Sequence, residues 1–246
     1  MRKSLRLAGL VLSLGVAGSA MAGDLGLSVS GDVHGATAHH FRGYEFSEGN
    51  PSVGFKLNAG HASGAFASVA ADTVNLINDG IGAAKHQRHD NVVAGYATKL
   101  GGIDVSAGVS YNHFAGQDLV KQLNFSEVFV GAEFQGVKAK LSQNVHSKGN
   151  LVAGISRGDT FAELGYTYRL PCNEKFTVGG DLGYTFHGDK HEGVKDGLSV
   201  AQLRVGYDLN KDFGLQLTHQ LDQGEDAYGD KAGGNNKTYL KASYKF

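Results

Sequence analysis

The sequence predicts an all-β protein: a transmembrane antiparallel up-and-down β-barrel of about twelve strands, with both chain ends on the periplasmic side. Three observations carry this reading. Segments of roughly ten residues alternate apolar and polar positions along most of the chain. The connections between them alternate short and long. The chain also ends on such a segment, "KTYLKASYKF", with Leu240, Ala242, Tyr244 and Phe246 on one parity and Tyr239, Lys241, Ser243 and Lys245 on the other.

The chain opens with "MRKSLRLAGLVLSLGVAGSAMA". Arg2 and Lys3 precede a short apolar run that ends in Ala20-Met21-Ala22, the form of an export leader with a small-residue cleavage site. Residues 1–22 are therefore expected to be removed, leaving 23–246 as a single outer-membrane barrel. Beyond the leader no stretch approaches the ~20 apolar residues of a membrane helix.

The strand segments fall near 25–42, 51–60, 65–75, 91–99, 103–114, 125–134, 137–146, 159–170, 175–187, 198–209, 213–223 and 237–246. In "FSEVFVGAEF" the apolar parity holds Val128, Val130, Ala132 and Phe134. In "VKAKLSQNV" it holds Val137, Ala139 and Leu141, and in "AQLRVGYDL" it holds Ala201, Leu203, Val205 and Tyr207. Short connections are "HASG", "LGG", "QG", "PCNE" and "NKD"; long ones span 76–90, 115–124, 146–158, 187–197 and 224–236. No helical period appears outside the leader, and "LVAGISR" either lengthens a neighbouring strand or forms a small loop.

Composition agrees. The 246 residues carry a net charge of −1, with 37 glycines, 2 prolines and 1 cysteine. A near-neutral balance gives no electrostatic case for nucleic acid. A single Cys172 excludes an intrachain disulfide, so an exported domain must be held by a core or a closed sheet. A soluble sandwich also alternates, but here the polar parity is charged. It carries Asp32, Arg42, Lys56, Asp72, Asp104, Glu127, Glu133, Lys138, Lys140, Glu163, Arg169, Asp181, Arg204, Asp208, Lys241 and Lys245. Aromatics gather near the ends of the apolar parity, Tyr166, Tyr168 and Phe213 at the short turns and Tyr111, Tyr184 and Phe186 toward the long loops, as two girdles at a bilayer would. A strand in lipid must pair every backbone group, so the last strand is expected to close on the first.

The stretch "HHFRGYEFSEGNPSVGFKLNAGHASGAFASVAADTVN" resembles the opening of the TorF-type porins, also called the Gcw_chp family, through Phe41-Arg42-Gly43, Ser47, Pro51, Gly54 and Ala62-Ser63-Gly64. The segments "VVAGYATKLGGIDVSAGVSYN" and "NFSEVFVGAEFQGVKAKLS" are similar to later parts of that family. The resemblance implies an outer-membrane barrel of Gram-negative bacteria with a porin-like role. Tyr244 and Phe246 resemble the terminal signal that such proteins present to the β-barrel assembly machinery, although Lys241 stands where a glycine is usual.

The function expected is a porin-like channel for passive diffusion of small hydrophilic solutes, with no cofactor and no nucleic-acid partner, set in outer-membrane lipid and lipopolysaccharide. A non-conducting structural or surface-binding barrel is the alternative. The lumen candidates are Asp32, Arg42, Lys56, Glu127, Glu133, Lys138, Lys140, Arg204 and Asp208. Arg42 and Lys56 either form a basic constriction or pair with Asp32 or another neighbouring carboxylate. An enzyme is not expected: His61-Ala62-Ser63 has a suggestive spacing but reads as a turn. Asp222, Glu225, Asp226 and Asp230 lack the spacing of a calcium loop. His39, His40, His86 and His89 fall at the outer ends of strands or in outer loops, either as ordinary residues of polar loops or converging at one rim, where imidazoles would titrate near pH 6.5 or hold a metal, although His86-x-x-His89 alone does not mark a zinc site.

Overall fold

A computed structural model describes residues 20–22, 26–75, 87–116, 118–149, 154–188, 195–221 and 236–246. Its strands are β1 (Ala20–Ala22), β2 (Leu27–Ala36), β3 (His40–Phe41), β4 (Tyr44–Glu45), β5 (Ser52–His61), β6 (Ala65–Val74), β7 (Gln87–Leu100) and β8 (Ile103–Ala115). They continue as β9 (Phe125–Phe134), β10 (Val137–Ser147), β11 (Thr160–Arg169), β12 (Phe176–Phe186), β13 (Gly197–Asp208), β14 (Phe213–Gln220) and β15 (Lys237–Lys245). One helical turn, α1 (Asp118–Lys121), lies in the 115–124 connection, where a loop without helix was expected.

The sheet runs β2-β5-β6-β7-β8-β9-β10-β11-β12-β13-β14-β15 with every neighbour antiparallel, and β15 pairs back onto β2. The expected twelve-stranded closed barrel is therefore what forms. β1 adds to the free edge of β2 at the short-turn end, with Ala20 opposite Val29. The leader's other residues, 1–19, lie outside the described residues, as do His86, the acidic stretch 222–230 and the first three residues of "LVAGISR".

Alternation sets which face meets which solvent. The outward residues are aliphatic and exposed: Val33, Leu57, Val109, Val130, Leu141, Leu164, Leu182, Leu203 and Leu217 all stand on the barrel's outer wall. Tyr166, Tyr168, Phe213, Tyr244 and Phe246 ring its short-turn end, and Tyr111, Tyr184 and Phe186 its long-loop end. Polar residues such as Ser106, Ser110, Asn112, Glu127, Ser142, Asn144 and Thr218 are buried inside. A sheet that is apolar outside and polar inside is stable only with lipid around it.

Tight turns fix the register. Gln135-Gly136 joins Phe134 to Val137, and Gly101-Gly102 joins Leu100 to Ile103, with φ positive at all four positions. That is the two-residue turn whose twist matches paired strands.

One expected strand is cut short. The first segment was expected over 25–42, but β2 stops at Ala36, and residues 37–50 leave the wall. Arg42 is thus not a wall residue.

Candidate functional site

Residues 37–50 fold into the long-loop mouth as a small hairpin. His40 pairs with Glu45 and Phe41 with Tyr44 around the Arg42-Gly43 turn, where φ is 52° and 87°. Positive φ at both central residues makes this the same two-residue turn used in the wall. The stem is tied at its base by Phe46 N donating to His39 O (2.8 Å) and His39 N donating to Ser47 Oγ (3.0 Å). It is tied to the barrel by Asn75 N donating to Phe46 O (2.7 Å) and Gln220 Nε2 donating to Gly43 O (2.5 Å). Lys237 forms an ion pair with Glu45, and His40 stacks on Tyr239 with ring centres 4.4 Å apart.

The hairpin builds an apolar core inside the mouth. Phe46 packs with Val74, Phe114, Val120, Leu123, Phe125 and Ile155, with Phe41 and Tyr44 against them. Phe114, Val120 and Phe125 are fully buried. Each such side chain contributes roughly 1.5–3 kcal/mol when buried, so this cluster rather than any ion pair is the main adhesive of the plug. At the tip, Arg42 pairs with Glu127, donates from Nη1 to Gly154 O (3.2 Å), and lies over the rings of Phe161 (4.6 Å), Phe41 (5.1 Å) and Phe125 (5.6 Å). Ser110 Oγ donates to the other Glu127 oxygen (3.2 Å).

Below the plug, toward the short turns, the lumen holds a cavity of about 320 Å³. Lys56, Lys138, Lys140, Arg204, Glu133, Glu163 and Asp181 line it, with Ser68, Ser106, Gly131 and Gly165 leaving the space. Arg204 pairs with Asp181 (2.8 Å) and Lys138 with Glu133 (3.8 Å). Lys140 places its ammonium 4.8 Å above the Phe129 ring.

The lumen candidates divide accordingly. Lys56, Glu133, Lys138, Lys140 and Arg204 meet at the cavity. Asp208 sits at the short-turn end with Arg169 (3.1 Å) and Lys245 (3.5 Å). Arg42 and Glu127 belong to the plug, and the partner of Arg42 is Glu127 rather than Asp32. Asp32 stands across from Lys56 in the β2–β5 register and accepts from His34 Nδ1 (2.8 Å). His34 Nε2 faces Asp72 (2.7 Å), and His39 Nδ1 is 3.6 Å from the same carboxylate. Carboxylates only accept, so whichever His34 nitrogen carries a proton donates to the carboxylate it faces.

His39, His40 and His89 do not form the solvent-facing rim expected of them, and His86 lies outside the described residues. His89 is 4% exposed, donates from Nε2 to Asn112 (3.0 Å) and stacks on Phe114 at 4.5 Å. His39 lies 5.8 Å from His89, inside the mouth, where burial pushes its pKa down. His40 is held at a pKa of about 4 by burial, against the pull of Glu45. No three His, Cys, Asp or Glu side chains are placed to hold a metal among the described residues. His61 Nδ1 and Ser63 Oγ are 2.8 Å apart in an exposed turn, and Ser63 N donates to the same ring nitrogen (3.1 Å), which makes them a turn-internal contact.

No family model matches the chain, and no curated protein does. Among solved structures it is similar to the KdgM porin, with a TM-score of 0.53 and 11% identity over 88% of this chain and 98% of that one. It is similar to the KdgM porin in complex with disordered oligogalacturonate (TM-score 0.52, 11% identity, 89% and 98% covered) and to the NanC porin (TM-score 0.53, 13% identity, 88% and 98% covered). The fold is that of an outer-membrane barrel. At such identities the likeness is one of architecture; with the greasy outer wall it locates the chain in the outer membrane.

Strand periodicity misses the plug because it runs residues 37–42 into the first strand and leaves 43–50 as a connection. A signal was present: Phe41-Arg42-Gly43-Tyr44 is an aromatic-flanked X-Gly pair, which reads equally well as a hairpin tip.

Proposed function

We propose that this chain is an outer-membrane channel for passive diffusion of small hydrophilic solutes, closed at its long-loop end by its own hairpin. The observation that carries this is the charged cavity of about 320 Å³ kept open beneath the plug by Ser68, Ser106, Gly131 and Gly165. A barrel serving only as a wall would gain by filling that space with side chains. The similar structure that holds disordered oligogalacturonate makes charged sugars a first class of solute to try. On this reading the short turns and both ends face the periplasm, and residues 1–22 are removed. The Tyr244–Phe246 terminus is read by the β-barrel assembly machinery, and lipid and lipopolysaccharide surround the wall. Membership of the TorF-type porins belongs to the same reading. Its support is that the Arg-Gly pair of the resemblance forms the plug tip.

The second reading, a non-conducting structural or surface-binding barrel, is favoured by the apolar seal around Phe46. Planar-bilayer recording separates the two. The full chain is expected to conduct rarely, and a variant lacking residues 38–50 to conduct steadily. A folded deletion variant that stays silent across voltages and salts would overturn the channel.

A further inference from the structure

The tip of the plug occupies a site that the barrel itself builds. Glu127 is 3% exposed, and its carboxylate is held by Ser110 on β8. The Phe125 ring from β9 and the Phe161 ring from β11 cover the guanidinium of Arg42, and the Gly154 carbonyl accepts from it. Among these described contacts of the cation, Phe41 is the one that belongs to the hairpin. Carboxylate, carbonyl and two ring faces are the surroundings in which a flat organic cation is bound well.

Two further observations point to a ligand site. On β10, between β9 and β11, Asn144 lies opposite Glu127 and Ser142 opposite Phe161. Both are buried, at 2% and 1% exposure, and Asn144 Oδ1 and Ser142 Oγ have no hydrogen-bond partner among the described residues. They are spare acceptors on the strand that runs between Glu127 and Phe161, where a ligand with several N–H groups could use them. The second observation is the backbone. Arg42 sits at φ 52°, a region that suits glycine or asparagine. Gln135 takes the same turn position in the wall at φ 49°, so the turn admits a long side chain, and at the plug tip that side chain is the one that reaches Glu127.

We infer that the lumen wall carries a binding site for guanidinium-type organic cations, occupied in this structure by Arg42 acting as a tethered ligand. A soluble guanidinium compound takes the same place and releases the hairpin. This extends the channel reading, but the site is tested by binding and needs no conduction. The tether gives Arg42 an effective concentration in the millimolar range, so an outside ligand competes poorly with the wild-type chain and well once the side chain is gone.

The experiment uses the full chain with Arg42→Asn, since an Asn-Gly pair keeps the turn. Calorimetric titration with methylguanidinium is expected to show saturable binding at least about tenfold tighter than in the wild type. Adding Glu127→Gln to that variant is expected to remove it, and methylammonium to bind more weakly. Heat-modifiable gel migration reports whether each barrel is folded. A folded Arg42→Asn barrel without saturable methylguanidinium binding overturns the site, as does binding indifferent to Glu127→Gln. If Arg42→Asn does not fold, the wild type decides: methylguanidinium should expose Glu45 to endoproteinase Glu-C more than methylammonium at equal concentration, and equal cleavage overturns the proposal. A silent channel with intact binding would sink the conduction reading alone.

Discussion

The last residue of the chain lies across a bare stretch of backbone at the first barrel strand. Gly31 N donates to Phe246 O (2.9 Å) and Phe246 N donates to Gly31 O (3.0 Å). The Phe246 ring sits where a side chain on Gly31 would be: a Cβ there would come within 2.7 Å of its tip and 2.8 Å of the Lys56 carbonyl. Both are on the outward parity, so the aromatic ring seals the seam on the lipid side. This pairing of a glycine with a cross-strand aromatic restores apolar cover that the glycine lacks.

Gly31→Val should therefore impair barrel closure, and Gly35→Val should not, because the nearest atom to a Cβ on Gly35 is the Ser52 carbonyl at 4.0 Å. Heat-modifiable migration after folding into lipid vesicles measures this. Equal folding of the two variants would show that the ring moves aside at no cost.

Phe114→Ala should loosen the plug while leaving the wall paired. Phe114 is fully buried against Phe46, with ring centres 5.5 Å apart, and against His89. Truncating a buried phenylalanine costs roughly 3–5 kcal/mol. Proteolysis within 37–50 should quicken and single-channel openings lengthen, with strand content by circular dichroism unchanged.

Much of this was legible in the residues alone, and the failures share one cause. Strand periodicity locates the wall because every second residue meets lipid, from Val128 and Val130 on β9 to Leu240 and Tyr244 on β15. It also locates Lys56, Lys138, Lys140 and Arg204 in the lumen. It is blind to a segment that leaves the sheet, since Phe41 and Phe46 look the same whether they face lipid or an internal core. Once residues 37–50 turn inward, His39, His40 and His89 are carried from an expected rim into a buried contact. The pairing of Arg42 with Glu127 joins residues 85 positions apart, which no local pattern encodes.

Acid should release the hairpin. Burial holds His40 at a pKa of about 4, below its ordinary value of 6.5, so the docked hairpin binds fewer protons than the undocked one. Docking is at full strength above about pH 6.5 and weakens as pH falls toward 4. His39, also pushed down by burial, adds in the same direction. The groups facing His40 are Glu45, Lys237 and Tyr239; Lys237 keeps the Glu45 carboxyl below its usual range, so Glu45 stays ionised through most of this window. Open probability should rise between pH 6.5 and 4, and His40→Phe, which keeps the stack on Tyr239, should flatten the rise. A profile unchanged by that substitution would exclude His40.

Charge reversal in the cavity should move ion selectivity. Lys56→Glu with Lys140→Glu turns two lining ammonium groups into carboxylates. In a variant without residues 38–50, the reversal potential in a salt gradient should shift toward cations. Lys99→Glu, at the exposed end of β7 beside Asp104, should leave it in place.

The strand β2 has an unequal pair of neighbours. Its register with β5 runs from Leu27–His61 to Ala36–Ser52, whereas its pairing with the C-terminal segment runs only from Gly31–Phe246 to Ala36–Lys241. The same strand leads directly into the plug, and Thr37 ties that junction back to Leu240 through its N–H (2.9 Å) and its hydroxyl (3.0 Å). A pull on the hairpin is thus transmitted to the seam that closes the wall. Were that line to part, the aqueous interior would communicate sideways with the bilayer, and amphiphilic molecules would gain a route that bypasses the mouth.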